Sequence, residues 1–290
     1  MKSVALKRSD RLQTQIVVIT WVTVCTIFSL IPLFITFLNA FKTHREIITN
    51  IFAFPSSFTM MWQTLGENLS TAGSEIYLEM GRSLLVCVIG SILDVALGSI
   101  LAYIFTYKEF HFKETIFFAY ISVMLLPSIM GMPILVPFML NLNLANTYVG
   151  YLLPIIAGGQ VGGLFLFRTF FGQQPRSIYE SAQIEGASDI DIYFKLTLPL
   201  ALPIILYKFV GGFSSLYNDF LWPSLIMKDR PLLMQEMYRI QAVYGDAKGT
   251  KSNHGVMYAG YIISSIPLLF TSIISMKFFS SGDFAAGIKL

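Results

Sequence analysis

Long apolar runs separated by short polar segments dominate the chain. The run from Thr115 to Phe167 contains no Asp, Glu, Lys, Arg or His. It is too long for one transmembrane helix, which needs about 20 apolar residues, and therefore predicts a helical hairpin. The whole pattern predicts an all-α, polytopic membrane protein with six transmembrane helices. The predicted spans are approximately residues 16–38, 83–105, 115–140, 148–167, 198–221 and 255–276.

Prolines and glycines interrupt several of these spans. Pro32 predicts a kink in the first span, and a polar run at 141–147 predicts the turn of the hairpin. Such interruptions are tolerated where neighbouring helices cover the backbone. Both a kinked, packed helix and a gating role are consistent with them. The third span contains Pro127, Pro133 and Pro137, and the fourth contains Gly158, Gly159, Gly162 and Gly163.

The composition supports a membrane protein and argues against other classes. Hydrophobic residues make up 54% and charged residues 13% of the chain, whereas about a quarter of an average soluble domain is charged. The net charge of +3 is small and the basic residues are scattered, so the predicted partner is the lipid bilayer and not nucleic acid. Cys25 and Cys87 both fall within apolar spans, which predicts neither a disulfide framework nor a thiol site.

Charged residues outside the spans predict the orientation of the chain. Lys2, Lys7, Arg8 and Arg11 precede a charge-free run at 12–41. This run is longer than the 7–15 apolar residues of a signal peptide, so we interpret it as a first membrane anchor. Connections on the N-terminal side carry more Lys and Arg than those on the other side. This difference predicts that both termini face the cytoplasm.

The segment 168–197, which this orientation places in the cytoplasm, has the pattern of two short helices joined by a glycine. Pro175 fits the first turn of a helix that continues to about Glu185. Gly186 supplies the backbone freedom for a sharp turn. Ser188 and Asp191 predict a capping box at the start of the second helix. A short amphipathic connection with no further role is an open alternative.

The residue order in this segment resembles a family signature. It is similar to the EAA motif of binding-protein-dependent ABC transporter permeases. The chain departs from the usual motif at Ser181, where the family has Ala, and at Glu185, where it has Asp. Both exchanges keep the size class or the charge. The matching residues are Glu180-Ser181-Ala182, Gly186-Ala187, Phe194 and Leu198-Pro199.

Further segments resemble the carbohydrate-importing branch of this family, and within it the second permease subunit of an importer. Gly81-Arg82-Ser83 stands where the family usually has an Asn-Ser pair, and Tyr217 where it often has Trp. These two departures give no basis for inferring a particular sugar. The similar segments are residues 143–147, Phe170-Phe171 with Pro175, residues 217–223, and Gly282 with residues 287–289.

The resemblance implies a heteromeric importer in the cytoplasmic (inner) membrane of a bacterium. Its expected partners are a second permease subunit, two ATP-binding cassette ATPase subunits and an extracytoplasmic sugar-binding protein. The ATPase subunits would bind ATP and Mg, so neither a cofactor nor enzymatic activity is expected in this chain. Residues 1–82 are expected to hold the N-terminal tail, the first transmembrane helix and an external segment. Residues 83–290 are expected to form the permease core, including the coupling loop at 168–197 and a C-terminal tail.

The resemblance also implies roles within the coupling loop, which in the family docks in a cleft of the ATPase. Glu180 is expected to make a charged contact, Ala182 and Ala187 to pack closely, and Gly186 to form the turn. The complete candidate set is Glu180, Ser181, Ala182, Glu185, Gly186 and Ala187.

Five polar residues are candidates for the substrate path. Asp94 and Lys208 lie near the middle of the second and fifth spans, where charges are costly and usually face a cavity or each other. They are expected either to pair or to line the path; snorkelling of Lys208 or pairing with another subunit are alternatives. Tyr217, Asn218 and Asp219 could line the path at the outer end of the fifth span, or act as a helix-terminal cap.

Other functional classes find little support in the residue pattern. The segment 245–252 resembles a phosphate-binding loop but misses the G-x-x-x-x-G-K-[ST] spacing by one residue. His44, His111 and His254 fall in three different connections, which predicts no metal site. An ion-coupled secondary transporter would need an internal repeat or a relay of acids within the membrane. That class, and an ABC permease for a non-sugar solute, are the alternative functions.

Overall fold

The computed structural model describes residues 8–245 and 251–280, and within these ranges the chain is helical and contains no β-strand. The predicted all-α fold is confirmed. Short 3₁₀ turns at Val123–Leu125 and Ser128–Gly131 and a π-helical turn at Tyr193–Thr197 join some of the α-helices. The α-helices are α1 Arg8–Ala40, α2 His44–Thr49, α3 Phe58–Tyr107, α4 Lys113–Ser122, α5 Met132–Asn141, α6 Tyr148–Phe171, α7 Arg176–Ile184, α8 Asp189–Ile192, α9 Leu198–Leu200, α10 Leu202–Tyr217, α11 Leu221–Ile226, α12 Leu233–Tyr244 and α13 His254–Ser280.

Four of the helical segments are long and apolar enough to cross a membrane. Two further segments pass the same test only as bent pairs, so the described residues provide four spans, or up to six if each bent pair is one span. The predicted number of six agrees with the larger count, while the sidedness of the termini stays a prediction. The four segments are Thr14–Ala40, Phe58–Tyr107, Tyr148–Phe171 and His254–Met276.

The third predicted span is not a single kinked helix. Its two halves, Lys113–Leu125 and Ser128–Asn141, meet at an angle of 87°. The break falls at Leu126, whose ψ is 121°, and Pro127, whose ψ is 124°. A residue that precedes proline is driven out of the helical region by the proline ring, which explains the position of the break. The sequence therefore indicated the place of the interruption but not its size.

The fifth predicted span, 198–221, is also divided. Asp189–Leu200 and Leu202–Tyr217 are bent by 78° at Ala201. Pro203 has no N–H with which to continue the helical hydrogen bonds of the preceding turn, so the helix can change direction here. Only α10 continues as an apolar helix, and Asn218 and Asp219 follow its end.

The second predicted span is part of a much longer helix. The α3 helix has 50 residues and begins at Phe58, well inside the stretch expected to be an external polar segment. At 1.5 Å per residue it is about 75 Å long, compared with about 30 Å for the hydrocarbon core of a bilayer. The expected boundary between residues 82 and 83 lies within this helix; the division at that point stays a prediction.

The tertiary contacts divide the chain into two units. One comprises residues up to Glu75 together with Arg239–Ile263, and the other comprises Ile76–Tyr238 together with the residues from Ser264 onward. Within the first unit, Lys42 is fully buried and its Nζ donates to Asn39 Oδ1, Asn50 O and Ile51 O at 3.1, 3.3 and 3.1 Å.

The second unit contains an aromatic cluster beneath the coupling loop. Tyr103, Phe105, Phe167, Phe171 and Tyr179 are buried within it, and they come from α3, α6 and α7. Because aromatic side chains bury large apolar surfaces, such a cluster gives the short helices of the loop a firm support.

Candidate functional site

The coupling loop has the bent form that the sequence predicts. Gly186 has a φ of +85°, a left-handed conformation that L-residues with a side chain rarely adopt. A Cβ at this position would meet no atom within 4 Å, so the backbone conformation alone requires glycine. Pro175 lies one residue before α7, with an extended ψ of 120°, and not within the first helical turn as predicted.

Ser188 caps the second helix of the loop, as the sequence predicts. Ser188 Oγ accepts a hydrogen bond from Asp191 N at 3.2 Å, as an N-cap does. The Asp191 carboxylate accepts from Ser188 Oγ at 2.5 Å, interacts with the Ser188 backbone N–H and pairs with Lys195 Nζ at 2.6 Å. The Lys195 and Ser188 side chains lower the pKa of Asp191 to about 2.

The candidate coupling residues divide into two groups by exposure. Glu180, Ser181, Glu185 and Gly186 are exposed. Ala182 and Ala187 are half-buried, and both pack against the aromatic cluster below the loop. The two alanines therefore hold the loop to its own support, and the first group faces outward.

Two large apolar side chains on the loop were not among the predicted coupling residues. Ile184 is 87% exposed and Ile190 is 71% exposed, one on each side of the Gly186 turn. The two isoleucines add exposed apolar surface to a segment whose other exposed residues are largely polar. Their position next to a predicted turn could have been noticed in the sequence, but an apolar residue in an amphipathic helix is normally assigned to the buried face.

The base of the loop is fixed to the end of α3. The Tyr107 ring stacks on the Tyr179 ring with a centroid distance of 4.0 Å, and Tyr107 OH donates to Phe171 O at 3.2 Å. The next residue along the chain, Lys108, pairs with Asp189 at 2.5 Å. Because α7 and α8 are both held to α3, the loop can move as one body with this helix end.

The two charges predicted within the apolar spans form an ion pair. Lys208 Nζ lies 2.6 Å from Asp94 Oδ2, and it also donates to Gly159 O at 3.3 Å. The Asp94 side chain is 10% exposed and that of Lys208 is 18% exposed. The pair thus joins α3 to α10 and contacts the backbone of α6. Pairing was one of the two predicted arrangements and is present; a role in the substrate path stays a prediction.

Glycines make room for this ion pair on α6. A Cβ at Gly159 would lie 2.7 Å from Asp94 Oδ1, closer than real Cβ contacts. Gly163 lies against Gly98 of α3, where a Cβ on Gly98 would be 3.0 Å from the Gly163 Cα. Gly159 therefore leaves room for the Asp94 carboxylate, and Gly163 permits the close approach of α6 to α3, whereas a Cβ at Gly158 would meet no atom within 4 Å.

A cavity of about 280 Å³ opens beside the ion pair. A second depression of about 430 Å³ shares four of its lining residues, so the two lie side by side. The shared residues are Ile155, Gly159, Ser215 and Leu216; the first cavity also contains Asp94, Tyr207 and Lys208, and the second extends to Asp219 and Trp222.

The other three path candidates have local structural roles. Tyr217 is 2% exposed and its OH donates to Ser264 O at 2.8 Å, so its ring is buried in packing. Asn218 Nδ2 donates to Ser214 O at 2.8 Å. Asp219 accepts from Trp222 N and from Tyr151 OH, both at 3.3 Å. These bonds match the alternative prediction of a helix-terminal cap, although Asp219 also lines the second depression.

No group of three or more potential metal ligands occurs among the residues that the structure describes. His44 and His254, which the sequence places in separate connections, nevertheless stack with Nδ1 atoms 2.9 Å apart. Their separation along the chain gave no sign of this contact. The phosphate-loop-like segment 245–252 and the similar segments of the C-terminal tail lie largely or wholly outside the described ranges.

The bent loop, the apolar helices and the cavity beside a buried ion pair are consistent with a multi-pass membrane transport component. The chain belongs to the family described as binding-protein-dependent transport system inner membrane component, whose model matches residues 94–282. It is accordingly a multi-pass protein of the bacterial inner membrane, and the predicted family is confirmed.

Several curated proteins resemble this chain over most of their length. The diacetylchitobiose uptake system permease protein NgcG of Streptomyces coelicolor is 26% identical, with 84% of this chain and 79% of that protein covered. The arabinooligosaccharides transport system permease protein AraQ of Halalkalibacterium halodurans is 24% identical, with coverages of 89% and 90%. The sn-glycerol-3-phosphate transport system permease protein UgpE of Pectobacterium atrosepticum is 25% identical, with coverages of 87% and 90%.

A solved structure shares the fold. It is a bacterial ABC transporter involved in the import of the acidic polysaccharide alginate. One of its chains superimposes with a TM-score of 0.68 at 18% sequence identity, covering 96% of this chain and all of the other. At this identity the match supports the fold.

Proposed function

We propose that this chain is the transmembrane permease subunit of an ATP-driven importer that moves a sugar or oligosaccharide into the cytoplasm. It pairs with a second permease subunit and with two ATPase subunits, which bind ATP and Mg and carry out the hydrolysis. An extracytoplasmic binding protein delivers the sugar. Family membership supports the importer class, and the names of NgcG and AraQ support a carbohydrate substrate.

The form of the coupling loop is the observation that carries this proposal. The loop offers a polar and an apolar contact surface together, with Glu180 on α7, Glu185 directly after it, and the exposed Ile184 and Ile190 on the two sides of the turn. Buried apolar anchors surrounded by polar groups are typical of protein interfaces. A loop with no partner would leave both isoleucines in water.

The proposed cycle uses two discrete states of the complex. Closure of the ATPase dimer draws the two permease loops together and opens the cavity outward, and hydrolysis returns it inward. Because α7 and α8 are fixed to the end of α3, a displacement of the loop reaches the helix that carries Asp94.

An ion-coupled secondary transporter is the alternative, and the pairing of Asp94 disfavours it. A proton- or cation-coupled mechanism needs a carboxylate that is free to exchange its ion. Here Lys208 already neutralises the Asp94 carboxylate at 2.6 Å.

Affinity purification of the full chain from its native host in mild detergent tests the proposal. We expect two kinds of subunit to accompany it, a second permease and an ATP-binding subunit. Gly186→Pro should reduce the recovered ATPase about tenfold and leave the second permease in place, since proline cannot adopt a φ of +85°.

Arg176→Pro is the matched control for this experiment. It introduces proline into the same loop at the first residue of α7, after an extended residue, where proline fits. Wild-type recovery of the ATPase is expected. If the unmodified chain purifies alone as a stable homo-oligomer, the importer proposal fails and a secondary transporter takes its place. Recovery of an ATPase together with uptake of a non-sugar solute would overturn only the sugar assignment.

A further inference from the structure

Two buried oxygen atoms beside the cavity lack hydrogen-bond partners within the described part of the chain. They are Asp94 Oδ1 and Ser91 Oγ. Both are on α3, and a spacing of three residues puts them on one face of that helix. Unpaired buried polar atoms are costly and uncommon in native structures, so they call for a functional explanation. The Asp94 carboxylate thus has one bonded oxygen, Oδ2, which pairs with Lys208, while Oδ1 is bonded to none of the described residues.

The charge balance of the cavity restricts the kind of molecule that it can accept. Asp94 and Lys208 are the charged side chains among its lining residues, and they neutralise each other. A carboxylate or phosphate would have to displace Asp94 from Lys208 and would then lie beside an unpaired acid. Like charges at such short range are strongly unfavourable where water is excluded. A neutral molecule incurs no such penalty.

Hydroxyl groups match the hydrogen-bonding capacity that the cavity offers. A hydroxyl both donates and accepts, whereas a carboxylate only accepts and an ammonium only donates. Neighbouring hydroxyls of a sugar can therefore donate to Asp94 Oδ1 and accept from Lys208 Nζ at the same time. Tyr207, a residue that is 54% exposed, lines the same cavity, and its aromatic ring offers an apolar face to the sugar ring.

The neighbouring second depression extends this site along the helices. The second depression runs from the shared Ser215 and Gly159 to Asp219 and Trp222. A molecule with one sugar unit at the ion pair has room for further units in this direction. The shape therefore suits a short oligosaccharide as well as a single sugar.

We propose that Asp94 and Lys208 form a polyol-binding subsite that admits neutral sugars and rejects sugar acids and sugar phosphates. This inference rests on the proposed function and adds to it the charge class of the substrate. When a sugar enters, the Asp94 carboxylate turns from Gly159 toward the cavity, and Oδ1 accepts a hydrogen bond from a sugar hydroxyl. The bond from Lys208 to Oδ2 is kept, so the pair stays neutral throughout transport.

Uptake by cells that lack the native gene and carry variants of the full chain tests the subsite. The neutral probes are labelled diacetylchitobiose, arabinotriose, maltose and raffinose; the acidic probes are sn-glycerol 3-phosphate and an alginate disaccharide. We expect the wild type to take up at least one neutral probe and to prefer it to both acidic ones. Asp94→Asn keeps the side-chain shape but leaves Lys208 as an unpaired cation. It should raise the KM for the neutral probe about tenfold and shift the preference toward the acidic probes.

Glu67→Gln is the control for Asp94→Asn. It makes the same acid-to-amide change in α3, at an exposed position whose side chain contacts Gln63. Wild-type KM values are expected for all probes. Recovery of the ATPase subunit from each strain reports assembly separately. If the wild type recovers no ATPase and supports no uptake, the proposed function fails.

Other outcomes overturn the subsite alone. With the ATPase present, the subsite is overturned if Asp94→Asn leaves the KM for the neutral probe unchanged, or if the wild type prefers an acidic probe. It is also overturned if the wild type takes up none of the four neutral probes.

A second variant covers the case in which Asp94→Asn does not assemble. Ser215→Cys places a thiol in the wall shared by the two depressions, in a chain whose Cys25 and Cys87 are replaced by serine and alanine. A membrane-permeant thiol reagent should label this thiol at least fivefold more slowly in the presence of the transported neutral probe. If only an acidic probe slows the labelling, or if none of the probes slows it, the subsite is overturned.

Discussion

Lys42 and Lys208 are both withdrawn from solvent, but their charges are stabilised in different ways. Lys42 is fully buried and bonded to three neutral oxygens, two of them backbone carbonyls. Burial lowers the pKa of Lys42, an effect that the Glu46 carboxylate opposes. Lys208 is bonded to a carboxylate whose second oxygen has no partner among the described residues.

The difference separates a structural charge from one that we propose to be functional. The Lys42 ammonium has three donors and three acceptors, so its hydrogen bonding is complete and nothing more can bind. The Asp94–Lys208 pair is neutral but incomplete, and it borders a cavity. A completed polar cluster stabilises one conformation, whereas an incomplete one can take up a ligand. Four predictions test this contrast.

The largest effect is expected from removing Lys208 alone. Lys208→Met leaves the Asp94 carboxylate buried without a counter-charge, and we expect a loss of about 3–5 kcal/mol in stability. Asp94→Asn combined with Lys208→Met removes both charges and should recover most of this loss. Thermal unfolding of the detergent-purified complex, followed by size-exclusion chromatography, measures both. If the double variant is as unstable as the single one, the two side chains do not act as a pair.

Removing Lys42 is expected to have a smaller but still large effect. Lys42→Met leaves three acceptors without this donor, of which Asn39 Oδ1 is on a fully buried residue, and should cost about 2–3 kcal/mol. Lys228→Met, at an exposed position, is the control and should change stability by less than about 0.5 kcal/mol. The ratio of neutral to acidic sugar uptake should be unchanged by Lys42→Met. A change in that ratio would contradict the structural role assigned to Lys42.

A methyl group at Gly159 tests how tightly the ion pair is packed. Gly159→Ala puts a Cβ 2.7 Å from Asp94 Oδ1 and should cost about 1–3 kcal/mol through overpacking. Gly66→Ala in α3 is the control, since a Cβ there meets no atom within 4 Å. Because alanine favours helices more than glycine does, Gly66→Ala should be neutral or stabilising by up to about 1 kcal/mol. Equal unfolding temperatures for the two variants would show that the pair has room to adjust.

The smallest effect concerns the carboxylate near Lys42. Burial alone would raise the pKa of Glu46, but hydrogen bonds from Ser56 and Thr43 outweigh it and lower the pKa from 4.5 to about 2. Its contribution to stability is therefore complete above about pH 4.5 and is lost as the pH falls toward 2. Unfolding temperatures measured across this window should fall less steeply in Glu46→Gln than in the wild type. Parallel curves would exclude the assigned hydrogen bonds.

Much of the fold could be predicted because a bilayer limits the structures that can cross it. Long apolar runs, two of them with a single internal charge, marked every apolar helix, and Pro127 and Pro203 lie within two residues of the two sharp bends. The bend angles of 87° and 78° depend on packing against other helices, which no local pattern encodes. The start of α3 at Phe58 was missed because its polar first half is also compatible with a loop.

The candidate site was predictable where chemistry allowed few choices. Asp94 and Lys208 stood alone in apolar spans, so each needed a partner, and the pair is present. Tyr217 could equally face a cavity or the interior, and only the tertiary structure distinguishes these positions. The exposure of Ile184 and the contact of His44 with His254 both result from how elements distant in sequence pack, which a local sequence pattern does not show.

The bend at Ala201 has a mechanical consequence for the transport cycle. The turn that ends at Leu200 belongs to the coupling loop side, and α10 beyond the bend carries Lys208. Ala201 is fully buried in the cluster that supports the loop, and Ile204 of α10 is buried there as well. A displacement of the loop would therefore reach α10 through a packed bend, which turns its direction by 78°.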